Sequence, residues 1–241
     1  YTTATLPSIP GRNSGLKERP LVSEYEHRLG VHWHQCLLNG MSTGGHNGVS
    51  RAWLRALSRL GYAGKVYEVP LGINANQQRV YGDGVAQNFA VSATLLIWDT
   101  RISNSYLLAC RDKAAHEMWV VTDMNEEQKE REKGKPCARC LQGRATFLPV
   151  VCNTHGGLGR RAWEWLQEAF QRKIDAATSA AEKHAVRIEL NTSLAEISCE
   201  VHRRNSRIMG ANAVPQAGGK APEAPEIYKE LRRDDVMQEC D

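Results

Sequence analysis

The sequence predicts an α/β fold, a mixed sheet sandwiched between helices, and three observations point to it. Short runs rich in Val, Ile and Tyr recur through the middle of the chain, helical periodicity flanks them, and Gly, Asn and Pro mark the joins. The 241 residues suffice for one substantial core with appendages. A composition of 41% hydrophobic and 24% charged residues is that of a globular domain, and no apolar run reaches the roughly twenty residues of a membrane span.

Residues 1–22, rich in Thr, Ser, Pro and Gly without amphipathic period, are expected to form an extended arm. The start at Tyr1 raises the expectation of a removed targeting peptide and hence a mitochondrial location. The folded α/β domain is assigned to 23–208 and opens with a polar stretch holding His27, His32, His34 and Cys36. Asn47 reads as the N-cap of a helix whose apolar face is Val49, Trp53, Ala56, Leu57 and Leu60, and which Gly61 ends. Residues 65–69 predict a short strand stopped by Pro70, 71–84 a Gly/Asn-rich loop, and 89–98 a strand centred on 93–98. A third strand is expected at 117–122, and the nearly all-charged 125–135 as a solvated helix face.

Residues 145–152 read as a fourth strand, with Pro149 marking an edge or a bulge. After Gly156–Gly159 comes an amphipathic helix bearing Ala162, Trp165, Leu166, Ala169, Phe170 and Ile174, continuing to about Ile208 through Leu190, Leu194, Ile197 and Val201. Trp163 and Trp165 are two apart, so one is expected at the surface. Residues 209–241 are expected to form a Pro/Gly/Ala-rich tail with a short terminal helix. Neither tail nor arm can build its own core, so both are expected to run along a partner.

A net charge of +4 permits a polyanionic partner without demanding one. Arg51, Arg55 and Arg59 recur at helical spacing and would either track phosphates or form a solvated face. Seven scattered cysteines do not read as a secreted disulfide framework and suit a reducing interior. Cys137-Ala-Arg-Cys140 has the spacing of a zinc half-site that Cys152 and His155 would complete; the alternative is free thiols.

The order His46-Asn47-Gly48-Val49, Glu68, Arg79-Val80-Tyr81-Gly82-Asp83, Trp98-Asp99-Thr100-Arg101, a lysine-rich 129–135, Phe147-Leu148-Pro149 and Gly156-Gly157-Leu158-Gly159 resembles a known region. It is similar to the restriction-like endonuclease region of site-specific non-LTR retrotransposons, over about half the chain. The resemblance implies a restriction-endonuclease-like core and Mg²⁺-dependent hydrolysis of a phosphodiester. Asp83 and Asp99 would hold the ion, Glu68 would be an additional acid, and Arg101, Lys129 or Lys133 would stand in for the catalytic lysine.

The sequence also departs from that pattern. Tyr81-Gly82 replaces a Pro-containing turn, Arg101 cannot yield a proton as a tuned lysine can, and Pro136 stands where a Tyr is usual. Of a Cys/His knuckle only His32, His34, Cys36 and His46 remain, and His46 is expected to serve as a helix-start hydrogen-bond donor. Without a metal, Asp83 would sit in a Gly turn and Asp99 would cap a strand end.

Three functions follow as expectations. The first is a domesticated, inactive nuclease-like domain, with no cofactor, serving as a structural subunit of a large assembly such as a mitochondrial ribosome or respiratory-chain complex. It draws on the eroded pattern, the absent polymerase and the two low-complexity ends, which would contact other protein subunits. The second is a Mg²⁺-dependent endonuclease that cuts DNA. The third is a module that binds RNA or DNA without cutting it.

Overall fold

The computed structural model of the protein describes residues 41–90, 92, 94–103, 117 and 119–212. The predicted arm at 1–22, the His/Cys stretch at 27–36 and the tail beyond residue 212 lie outside these residues. The described elements are α1 (Met41–Arg59), β1 (Ala63–Ile73), β2 (Arg79–Gln87), β3 (Leu95–Ser103), α2 (Val120–Lys129), a π-helical turn (Glu130–Gly134), α3 (Lys135–Leu141), β4 (Ala145–Asn153), α4 (Arg160–Ala176) and α5 (Ala180–Asn212). The sheet runs β1-β2-β3-β4, antiparallel apart from the parallel pair β3 and β4. It is the mixed sheet flanked by helices that the sequence predicts.

Period-2 alternation along β3 and β4 divides the core. Leu96, Trp98, Leu148, Val150 and Cys152 face α1, α4 and α5, where Val49, Trp53, Leu57, Leu166, Phe170, Ile197 and Val201 are buried. Ile97 faces the other way and packs with Val69, Leu71 and Cys137. Trp98 is fully buried, and its indole Nε1 donates to Ser50 Oγ at 2.8 Å, which satisfies its polar edge inside the core.

Helix α1 begins at Met41, so Asn47 is an exposed residue within it and not its N-cap. Gly44, Gly45 and Gly48 argue against helix locally, but packing overrides propensity. A Cβ on Gly48 would lie 2.6 Å from a Glu200 carboxylate oxygen, so the glycine lets α5 approach. The predicted stop does occur: Gly61 takes φ +83°, its N–H donates to Ser58 O at 2.9 Å, and Tyr62 N–H donates to Leu57 O at 3.0 Å.

Residues 71–84 are not a loop. They hold the end of β1, a short turn and most of β2, and Pro70 pairs with Tyr81 inside β1, an edge strand where its missing N–H is tolerated. The polar composition belongs to the turn, where Asn74 Oδ1 accepts from the N–H groups of Asn76 (2.9 Å) and Gln78 (3.0 Å). Gly84 sits within β2 because a Cβ there would come 2.2 Å from the Trp98 ring. The strand predicted at 93–98 begins at Leu95 and extends to Ser103.

The strand expected at 117–122 is instead the approach to α2, with Val121 and Thr122 buried in its first turn. A β-branched run favours strand, but Asp123 in the first turn and the helix formers after it decide for helix. The charged stretch at 125–135 is helical as expected but not merely solvated, because Glu126 and Gly134 are buried.

The helical continuation predicted to about Ile208 is broken between α4 and α5. Ser179 and Glu182 form a reciprocal cap there, with Glu182 N–H donating to Ser179 Oγ (3.2 Å) and Ser179 N–H to the Glu182 carboxylate (3.0 Å). Trp163 and Trp165 are both half-buried against the core, and Trp165 meets the rings of Trp53 and Tyr62 at 5.8 and 5.9 Å. Neither is left at the surface. Arg55 and Arg59 bond Glu196 of α5 at 2.9 and 2.5 Å, so these two cations clamp a helix pair within the chain.

Candidate functional site

β3 presents Asp99 and Thr100 in succession, and the pleat sends them to opposite faces. Asp99 is 1% exposed and meets α2 and the π turn, where Lys129 Nζ donates to one carboxylate oxygen and Lys133 Nζ to the other. Lys129 and Lys133 are one turn apart on a single helical face, and π turns recur at functional sites because they re-aim such faces. The Thr100 side chain points toward α1.

Asp83 joins them through a break in the sheet. The register between β2 and β3 ends at Gly84↔Trp98, and β1 slips between Val66 and Val69 opposite the same place. The Thr100 N–H donates to Asp83 Oδ2 at 2.5 Å, and the Thr100 hydroxyl donates to the same oxygen at 2.7 Å. His46 of α1 completes the group, with Nε2 2.7 Å from Thr100 O and 3.0 Å from Asp83 Oδ2. Both are acceptors, so Nε2 carries a proton.

The electrostatics follow from these contacts. Burial works to lower the pKa of His46, but the Asp83 carboxylate, the Thr100 carbonyl and the Asp99 charge outweigh it and raise the group above its ordinary value. Burial would raise Asp83, yet the bonds from His46 and Thr100 pull it below the usual range. The two shifts agree in describing an imidazolium–carboxylate pair. Lys129 is lowered, first by burial and then by the Lys133 charge, against the opposing pull of Asp99 and Asp83. Asp83 and Asp99 therefore both act on Lys129.

A cleft of about 280 Å³ opens at this end of β3, lined by His46, Thr100, Arg101, Ile102, Lys129 and Arg204. Its walls are strongly cationic. Arg101, on the same strand face as Asp99, is steadied by Gln128, whose side-chain oxygen accepts from it at 2.9 Å.

Of the residues the sequence singles out, Asp83, Asp99, Arg101, Lys129 and Lys133 come together. Glu68 does not: it is exposed on β1 at the register slip and is not part of the cleft lining. The proposed zinc set does not assemble either. Cys137 and Cys152 belong to cores on opposite faces of the sheet, while Cys140 and His155 are exposed. Burial pushes the Cys137 thiol up to about 11 and the Cys152 thiol up to about 12, which disfavours the thiolate a metal needs. Among the described residues no group of three or more His, Cys, Asp or Glu side chains is placed to hold a metal ion.

Three participants take roles that the sequence alone does not show. His46 is a hydrogen-bond donor, as expected, but it donates across to the sheet from within α1, on the helix face that it shares with Ser50. Arg204 lies on the core stripe of α5, at helical spacing from Ile197 and Val201, and a cation on an apolar stripe was the available signal.

Glu126 is the third. It is 1% exposed, and one carboxylate oxygen accepts from the Arg161 N–H at 3.3 Å, capping α4 from another helix, while Oε1 has no hydrogen-bond partner. Burial raises its pKa to about 7. Gly159 makes room for this carboxylate, since a Cβ there would lie 2.3 Å from Oε1. The Gly-rich helix start thus serves a cap supplied by α2.

No protein-family model matches the chain, and no curated protein matches its sequence.

Proposed function

We propose that this chain carries a divalent-cation-dependent endonuclease site acting on the phosphodiester backbone of DNA. The observation that carries the reading is the grouping of Asp83, Asp99 and the half-buried Lys129 at the end of β3, where Lys129 lines a cleft together with His46, Arg101 and Arg204. Mg²⁺ takes hard oxygen ligands and is satisfied by one or two carboxylates with water. The described bonds to Asp83 all fall on Oδ2, which leaves Oδ1 for a ligand, whereas an ion at Asp99 would have to displace Lys129 or Lys133. The two ammonium groups on Asp99 occupy the place a cation's charge would fill.

Asp83 and Asp99 are the residues that would hold the ion, which when bound supplies charge stabilisation at the phosphate and activation of water. Lys129, an ammonium held by Asp99 in a desolvated setting, is suited to orient the attacking water and to stabilise the charge that develops on the phosphate. Arg101 and the imidazolium of His46 line the cleft and favour the negative charge of the backbone. Incubating supercoiled plasmid with the full chain and Mg²⁺ or Mn²⁺ tests this. Nicking by the wild type, abolished in Asp83→Ala and Asp99→Ala, is expected; intact plasmid in every case rejects it.

A second reading, nucleic-acid binding without cleavage, is favoured by one observation. Both oxygens of Asp99 are already engaged by Lys129 and Lys133. Retarded but uncut DNA, with steep loss of binding as salt rises, is its signature. The role of scaffold subunit in a mitochondrial assembly rests on the departures from the nuclease pattern and on the terminal arms, which lie outside the described residues.

A further inference from the structure

The cleft has a wall residue from outside the acid–lysine group: Arg204 of α5. Its neighbours at helical spacing, Ile197 and Val201, are buried in the core, as is the adjacent Asn205. Asn205 is itself held by donating to Thr154 O at 2.7 Å. The Nε of Arg204 is buried with no hydrogen-bond partner, and one terminal nitrogen reaches only Asn205 Oδ1 at 3.4 Å, a neutral acceptor at the limit of bonding.

Several half-buried cations in the fold are matched by carboxylates, while Arg101 meets the neutral Gln128. Arg59 has Glu196, Lys129 and Lys133 have Asp99, and Lys173 has Glu189 at 2.6 Å. Burial lowers the pKa of Arg204, and no carboxylate among the described residues counters it. A desolvated guanidinium without an anion is costly, and its planar fork matches a phosphate group. Arg101, Lys129 and His46 line the same cavity and share that preference. At about 280 Å³ the space is at the small end of ligand pockets, suited to a phosphodiester with part of its sugars.

We infer that Arg204 is a phosphate-binding residue, receiving non-bridging oxygens of the nucleic-acid backbone in the cleft beside Lys129 and Arg101. The inference rests on the phosphodiester reading above and extends it to the C-terminal helix.

Thermal unfolding of the full 241-residue chain with and without inorganic phosphate tests it, using Arg204→Met, Arg204→Lys and Arg203→Met. Arg203 is exposed and paired with Glu200 at 2.7 Å, so its variant controls for the loss of a charge on the same helix. Phosphate is expected to raise Tm in the wild type and Arg203→Met, to do so weakly in Arg204→Lys, and not at all in Arg204→Met. Without phosphate, Arg204→Met is expected to melt no lower than the wild type, because it removes an uncompensated charge. Affinity for duplex DNA in Ca²⁺ should fall roughly tenfold in Arg204→Met.

An equal phosphate shift in Arg204→Met overturns the inference. So does a large fall in Tm in both Arg204 variants without phosphate, which would make the guanidinium a structural group. If only the cleavage reading fails, plasmid stays intact while the phosphate shift still depends on Arg204. If only this inference fails, plasmid is nicked equally well by Arg204→Met.

Discussion

Glu126 combines a structural duty with a titration near neutral pH. Its pKa is raised from 4.5 to about 7, mainly by burial, so between those values the folded chain binds a proton that the unfolded chain has released. Stability therefore falls as pH rises from about 4.5 to about 7, and the full cost is present above that window. The shift corresponds to roughly 3 kcal/mol. Glu126→Gln keeps an acceptor for the Arg161 N–H and removes the ionisation. Urea unfolding should find the variant more stable than wild type at pH 8, with the difference shrinking toward pH 5. Equal stability at both pH values would show that the carboxyl is not held in its neutral form. In the sequence, Glu126 was hidden in a run of charges, because its burial depends on Gly159, more than thirty residues away. Asp83, Asp99 and Lys129 were legible as types in an ordered motif. What could not be read was that Thr100 joins the acids, since that depends on where the β2–β3 pairing ends.

Elements with strong period are legible in the sequence, and those decided by partners are not. The stripe of α4 and the strand β4 match their expectations because each buries an unambiguous face. The start of α2 reads as a strand because its first residues are β-branched, whereas its fate is set by the turns that follow. The break between α4 and α5 was legible as Ser179-Ala-Ala-Glu182, the sequence form of a capping box, within a pattern otherwise continuous. Ser179→Ala should cost about 1 kcal/mol by chemical denaturation, the usual worth of an N-cap. An unchanged midpoint would mean that packing of α5 on α1 alone fixes the start of the helix.

For the whole molecule, the sheet order gathers residues that are far apart in sequence. His46 comes from α1, Asp83 from β2, Asp99 and Arg101 from β3, Lys129 from α2 and Arg204 from α5. The cations of this group and the two acids hold each other in place while the cleft keeps a cationic lining. Cleavage chemistry requires that a divalent cation compete with Lys129, Lys133 and His46 for the carboxylates, and this is the central claim. Mn²⁺ binding, followed by the loss of the free-ion electron paramagnetic resonance signal, tests it most directly. Wild type should take up the ion, and Asp83→Asn and Asp99→Asn should each weaken uptake by at least roughly tenfold. Equal uptake by all three proteins, or none by the wild type, would contradict a shared cation site at Asp83 and Asp99.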